Sequence, residues 1–321
     1  MTQSDPWMPT ASIHVIKQRA KLLKNLRDFF QQRSILEVET PVLSHYGGTE
    51  PNLSAITANF NSKGKAQLGF LQTSPEFAMK RLLAAGIGDC YQITKAFRNE
   101  ESGRFHNPEF SLLEWYRTGI NEIQLLQEID EMLQKIVAAE AAQYCSYSDL
   151  FNQYLTLDVT NSTFENLRQV AINNIQNPPQ LEHRDEYLEL LFSYCIEPKI
   201  GLKRPCFVTA YPASQASLAR ISTEDPELSC RFEIFYKGIE LGNGFYELSD
   251  ADEQYKRFKT ENNRRRNMGL EEVEIDPHFI QALRHGLPES SGVAIGIDRL
   301  LMIITSAKHI DEVLSFPIQR A

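Results

Sequence analysis

Two groups of polar residues in this chain have types and spacings that could do chemistry. The first is the run from Phe97 to Arg117, where a loop holding Arg98, Asn99, Glu100, Arg104, His106 and Asn107 lies between two segments that read as strands. Chemistry concentrates in such a polar, arginine-rich loop held between strands. Beyond the loop, Phe110, Leu112, Glu114 and Tyr116 alternate onto one face, with Ser111, Leu113 and Trp115 on the other. A carboxylate among core-facing neighbours is costly unless partnered. Glu114 is therefore either salt-bridged internally or kept for a cationic ligand, with Tyr116 beside it as a second polar handle. The second group is Glu233 and Glu240, on two alternating segments joined by Lys237-Gly238, a two-residue hairpin connection. Pairing Tyr236 with Ile239 sets Phe235 opposite Glu240 and makes Glu233 its diagonal neighbour on the same face. Like charges so placed call for a cation between them, and hard oxygen ligands suit Mg²⁺; a solvated polar face explains the same pattern.

The elements that position these groups can be read from periodicity and punctuation. Residues 12–33 read as a helix capped by Ser12, with Ile16, Ala20, Leu23 and Phe30 on one stripe and Leu22, Leu26 and Phe29 widening it. A short strand follows, stopped by Pro41. Residues 68–72 read as a strand, after which Ser74 caps a helix with Pro75 in its first position, Glu76 in its first turn and Gly86 at its end. Residues 121–144 form a long amphipathic helix with Leu125, Leu126, Ile129, Leu133 and Ile136 inward. Ser162 and Glu165 make a capping box for a helix to about Gln176, and a second helix covers about 185–196. Residues 206–210 read as a buried strand. Residues 250–268 read as a helix with Gly269 past its end, carrying Lys256, Arg257, Lys259, Arg264, Arg265 and Arg266 as a solvated face or as a docking surface for an acidic partner. Asp276-Pro277 opens another helix ending at Gly286, and residues 291–299 give a strand turning into an apolar helix.

The 321 residues, 42% of them hydrophobic, suffice for a large core, and 33 basic against 42 acidic residues leave a net charge of −9. That balance disfavours a general nucleic-acid binder. No run reaches the length of a membrane span and the amino terminus has no apolar leader, so a cytoplasmic protein with no membrane partner is expected. Five cysteines without a C-x-x-C pair indicate neither a disulfide framework nor a zinc site. Without repeats or linkers the chain reads as one α+β domain over residues 12–321, preceded by an extension of residues 1–11.

The run F-R-N-E, loop, H-N-P-E-F, L-E-W-Y at residues 97–116 resembles motif 2 of the class II aminoacyl-tRNA synthetases, in their lysyl branch. Residues 12–41 resemble motif 1, which builds a dimer interface in that family, although packing within one subunit explains the helix as well; residues 291–307 resemble motif 3. The resemblance implies a class II catalytic core, an antiparallel sheet flanked by helices, and a homodimer. It implies that Arg98 binds the α-phosphate of ATP, with Asn99, Glu100, His106 and Asn107 around the nucleotide and Phe110 on the adenine. Arg299 would brace the γ-phosphate, with Gly296 against the nucleotide. The run E-I-F-Y-K-G-I-E-L-G-N-G-F-Y-E-L at residues 233–248 implies Glu233 and Glu240 as Mg²⁺ ligands. In that run Leu241 would lie at the nucleotide, Asn243 at the substrate, and Gly242 and Gly244 would let the backbone approach the ligand. The T-S-P-E element, Ser74, Pro75 and Glu76, would hold the substrate's amino group near its carboxylate, although capping accounts for Glu76 too. Glu114, Tyr116 and Glu247 would make a lysine-type pocket for the distal ammonium.

Two departures narrow the resemblance. Where lysyl synthetases carry Y-P-A-E-x-S-P this chain has Tyr211-Pro212-Ala213-Ser214-Gln215-Ala216-Ser217, and where they usually carry Gly it has Ala294. Both resemble the short synthetase-like paralogues that modify elongation factor P, whose preferred substrate is (R)-β-lysine. About ten residues precede the first helix, too few for the anticodon-binding domain of lysyl synthetases, so stable tRNA binding is not expected. The expected activity is ATP-dependent adenylation of (R)-β-lysine or lysine and its transfer to a lysine of elongation factor P. A truncated synthetase charging tRNA and a non-catalytic lysine-binding paralogue are the alternatives.

Overall fold

A computed structural model describes residues 5, 7–99 and 102–321. The chain divides into two compact units, Met1–Ile120 with Ser249–Ala321, and Asn121–Leu248.

The first unit is built on the strand Glu109–Thr118, which is antiparallel to Cys90–Phe97 on one side and to Ser290–Gly296 on the other. The two-residue strand Leu36–Glu37 extends the sheet in parallel to Cys90–Phe97, so the sheet is mixed rather than purely antiparallel. The helix Ile13–Gln31 starts where Ser12 Oγ accepts the Val15 amide at 3.3 Å. Its buried residues are Leu22, Leu26, Phe29 and Phe30, with Phe30 stacked on Tyr91 at 4.3 Å and edge-on to Trp115 at 5.3 Å. The expected stripe is thus displaced: Ile16 and Leu23 are only half-buried and Ala20 is exposed. A separate three-stranded sheet, ordered Leu43–Ser44, Lys65–Leu71, Thr57–Ser62, contains the expected strand at 68–72; its partner at 57–62 gave no clear signal because its exposed positions alternate among polar residues.

Three further helices of this unit pack together. Glu76–Ala84 begins one residue later than expected, with Pro75 at the capping position and Ser74 Oγ accepting the Glu76 amide at 3.1 Å. Ala251–Asn267 is capped by Asp250, and Pro277–Gly286 by Asp276. Phe77 stacks on Phe279 at 4.4 Å and lies 5.6 Å from Phe258, which binds the three helices together. Ser290–Gly296 runs directly into the helix Ile297–Thr305.

In the second unit, Glu122–Val137 opens with a capping box between Asn121 and Gln124. It ends seven residues short of the expected limit of 144, because Ala138 turns left-handed at φ 53° and Gln143–Ser146 becomes a strand parallel to Cys206–Pro212. Thr163, not Ser162, caps Phe164–Asn174; Ser162 is held by the Asp158 carbonyl instead. Arg184–Leu191 continues as a π-helical turn, Phe192–Ile196. These helices and Tyr147–Leu155 share a core of Tyr147, Phe151, Leu188, Leu191, Phe192 and Tyr211. The strands Leu228–Tyr236 and Ile239–Tyr246 form the expected hairpin, with Tyr236 paired to Ile239 and Phe235 to Glu240. All five cysteines are free thiols, and no helix among the described residues is long and apolar enough to cross a membrane.

Candidate functional site

In the first unit the strand register gathers polar groups at one point of an apolar sheet. Glu114 is 2% exposed and lies opposite Gln92 on one neighbouring strand and Ala294 on the other. The Tyr116 hydroxyl donates to Glu114 Oε1 at 2.6 Å and the Ser74 hydroxyl to Oε2 at 2.7 Å. Burial and the nearby Glu76 carboxylate push the Glu114 carboxyl up to about 7, against the pull of those two hydroxyls and of Lys80. The carboxyl is thus hydrogen-bonded yet poised to titrate near neutrality.

Glu76 does not stand alone. Its Oε1 receives the Lys80 ammonium at 2.6 Å, and Lys80 is 1% exposed. Sequence reasoning passed over Lys80. The signal was present, since Lys80 falls with Met79 and Leu83 on the buried side of its helix, and a lysine there requires a partner.

The loop between Cys90–Phe97 and Glu109–Thr118 is closed by reciprocal backbone bonds of Gly103 and His106, at 3.2 and 3.3 Å. Arg98 is half-buried, its amide bonded to the Pro108 carbonyl at 2.9 Å and its guanidinium 5.0 Å from the Phe110 ring. His106 Nε2 lies 2.9 Å from a terminal nitrogen of Arg299, so motif 2 and motif 3 residues meet directly. Asn99 is exposed, with its amide on the Ser54 carbonyl at 2.8 Å. Asn107 faces inward: its side chain donates to the Glu109 carbonyl at 2.6 Å and accepts from the Ile318 amide at 3.0 Å. Glu100 lies outside the described residues. Gly296 has an ordinary φ of −71°, and a Cβ there would meet the Arg299 side chain first, at 3.5 Å.

The residue after Ile297, Asp298, escaped the sequence reading. It is 2% exposed, pairs with Arg19, and accepts the Ser111 amide at 2.7 Å, while Arg19 also donates to the Val313 carbonyl at 3.0 Å. It fixes the helix that carries Arg299 against the strand that carries Phe110 and Glu114.

The basic helix is not one solvated face. Arg265 is buried and donates to the carbonyls of Glu271 at 2.8 Å and Glu50 at 3.2 Å. Arg257 pairs with Glu253 at 3.0 Å and Arg266 with Glu272 at 2.7 Å. Much of the charge is therefore neutralised within the chain.

In the second unit a bulge between Glu240 and Gly242 moves Ile234 opposite Gly242 and Glu233 opposite Asn243. Glu233 is thereby shifted one residue from the expected diagonal. Within the chain Arg231 donates to Glu233 Oε1 at 2.6 Å, and the Tyr211 hydroxyl to Oε2 at 2.6 Å. Burial raises the Glu233 carboxyl, Arg231 opposes it, and Glu240 adds to the rise. Leu241 is buried, Asn243 half-buried, and Glu247 1% exposed. No cluster of three or more metal-ligating side chains occurs among the described residues. Two neighbouring carboxylates nevertheless fit Mg²⁺, which takes one or two protein carboxylates and completes its shell with phosphates and water.

Residues 8–320 match the family model of class II tRNA synthetases of the D, K and N type. Over its whole length the chain is 50% identical to the whole elongation factor P–(R)-β-lysine ligase of Vibrio cholerae. It is 46% identical, again over both whole chains, to the protein of that name from Edwardsiella ictaluri, and 48% identical, over 98% of each chain, to that of Pseudoalteromonas translucida.

Proposed function

This chain belongs to the class II tRNA synthetase family (D, K and N), and on that premise we propose that it activates (R)-β-lysine with ATP and attaches it to elongation factor P. A carboxylate oxygen of the amino acid attacks the α-phosphate, a new P–O bond forms, the bond to the β-phosphate breaks and pyrophosphate leaves. The ε-amine of a lysine on elongation factor P then attacks the acyl carbon of the adenylate, forming an amide and releasing AMP.

The observation that carries this reading in the first unit is the buried Glu114 carboxyl held between the hydroxyls of Ser74 and Tyr116. A group raised to about 7 by burial gains most from an entering ammonium, which restores its charged form. Arg98 and Arg299 are the cations for the triphosphate, and the contact of Arg299 with His106 aligns the two arginine-bearing elements. Asn99, Phe110 and Gly296 would line the nucleotide, and the motif alone assigns Glu100 to it. In the second unit Glu233 and Glu240 would hold Mg²⁺, which neutralises phosphate charge when bound. By the same motif Leu241 would lie at the nucleotide, and Asn243 and Glu247 at the substrate. The cytoplasm is the compartment for such an activity. A homodimer is part of the proposal, supported by Ile16 and Leu23 of the first helix, which are only half-buried, and by Leu36, 50% exposed on an edge strand.

The test is ATP–pyrophosphate exchange with (R)-β-lysine and α-lysine in parallel, followed by mass spectrometry of elongation factor P incubated with each. Preference for (R)-β-lysine with a matching mass gain on the protein is expected. Activation of α-lysine with transfer only to tRNA would overturn it.

A further inference from the structure

The helix Glu76–Ala84 buries a lysine that the reaction above does not use. Lys80 is 1% exposed and its ammonium sits 2.6 Å from Glu76, one helical turn before it and expected to receive the substrate's amine. The corner therefore holds two carboxylates, Glu76 and Glu114, and among the described residues the ammonium that acts on both is that of Lys80. Buried charges that are not balanced are expensive, so the balance of this corner decides what charge it accepts from outside.

We propose that Lys80 is a positioning residue that sets the charge of the amine pocket, holding Glu76 in place and leaving one carboxylate, Glu114, to be matched by the incoming ammonium. This inference rests on the reading of Glu114 as the amine-binding group. Glu76 is then already satisfied inside the chain, and its carboxylate orients the pocket rather than taking the first share of the ligand's charge. The electrostatics agree. Lys80 pulls the Glu114 carboxyl down, whereas burial and Glu76 push it up. The other groups around Glu114 are the Ser74 and Tyr116 hydroxyls, Gln92 and Ala294 across the strands, and the Cys90 thiol, itself pushed up to about 12 by burial and by the charges of Asp89 and Glu114. None of these is a cation, so Lys80→Met takes away the pull of the Lys80 ammonium on Glu114.

The experiment compares Lys80→Met, Lys80→Arg and the double variant Glu76→Gln/Lys80→Met in exchange assays with (R)-β-lysine from pH 6 to 8.5. In Lys80→Met the acid limb of kcat/KM moves to higher pH, so the loss is about tenfold or more at pH 7 and shrinks as pH rises. Lys80→Arg keeps the charge and leaves the limb where the native protein has it. The double variant removes one charge of each sign, and its limb returns toward the native position even where its maximal rate is low. Should Lys80→Met fail to fold, the other two variants still decide. A loss of the same factor at every pH, or a limb displaced equally by Lys80→Arg, overturns the inference. Carbon-13 NMR titration of Glu114 in the ligand-free proteins reads the same displacement without any turnover. A native protein that activates neither lysine isomer therefore sinks the functional reading alone.

Discussion

Ala294 stands directly opposite Glu114 across the antiparallel pair of Ser290–Gly296 and Glu109–Thr118. The methyl group of Ala294 therefore borders the buried carboxyl that is proposed to receive an amine. Replacing Ala294 with Gly opens a methyl-sized space there, and a hydrophobic pocket discriminates about 10-fold to 200-fold per methylene. Ala294→Gly is expected to raise kcat/KM for α-lysine relative to (R)-β-lysine by about tenfold, read from exchange with each isomer.

The ammonium site proposed at Glu114 requires its ionised form. Because its carboxyl is pushed up to about 7, affinity for the amino acid is expected to fall as pH drops through that value. Glu114→Gln should cost about 100-fold in kcat/KM and abolish this dependence, as measured by KM for (R)-β-lysine against pH. Folding behaves oppositely. A carboxyl raised from its ordinary 4.5 is most stabilising when protonated, below 4.5, and that contribution is lost as pH rises through about 7. The ligand-free Glu114→Gln protein should therefore be the more stable of the two at pH 8, which calorimetry can decide.

The pair of Asp298 and Arg19 ties the first helix to the helix of Arg299. Asp298→Ala leaves Arg19 and the Ser111 amide without their carboxylate, so a loss of about 3 kcal/mol in urea unfolding is expected. Arg19→Met should cost less, because Arg19 is 20% exposed and Asp298 keeps the Ser111 amide.

Glu261, hydrogen-bonded by the Thr49 hydroxyl, is pushed up to about 7 by burial, with Glu50 adding and Arg264 and Arg257 opposing. Its protonated form is the stabilising one, so its contribution fades between pH 4.5 and about 7. Glu261→Gln should flatten the decline of Tm over that interval by the equivalent of roughly 1 kcal/mol. An unchanged slope would mean that Glu261 stays ionised throughout.

Divalent cation should be required for exchange. Glu240→Gln is expected to raise the Mg²⁺ concentration for half-maximal rate about tenfold, and chelation by EDTA to stop the reaction in the native protein. An Mg²⁺ dependence unaltered by Glu240→Gln would remove that carboxylate from the metal site.

Much of this architecture was legible in the chain because strong local signals agree with the packing. Ser12, Asp250 and Asp276-Pro277 begin their helices as read, Gly86 and Gly269 lie past helix ends at positive φ, and Lys237-Gly238 turns the hairpin with Tyr236 on Ile239. The errors fall where a local signal met a stronger competitor. Ala138 stopped a helix whose apolar pattern ran on, and a bulge after Glu240, which no side-chain alternation announces, moved Glu233 by one residue.

The sequence by itself determined which residues carry charge, the alternation that turns Glu114 and Tyr116 to one face, and the family motifs around Arg98 and Arg299. Only the tertiary structure decided the long-range partners, Arg19 on Asp298 and the Ile318 amide on Asn107, and the burial that gives weight to the local pairs Lys80–Glu76 and Arg231–Glu233. The reason is physical. Local sequence fixes the direction in which a side chain leaves its strand or helix. The state of a buried charge depends on desolvation and on charges a few ångströms away, and apart from the pairs at two- and four-residue spacing those neighbours come from distant parts of the chain.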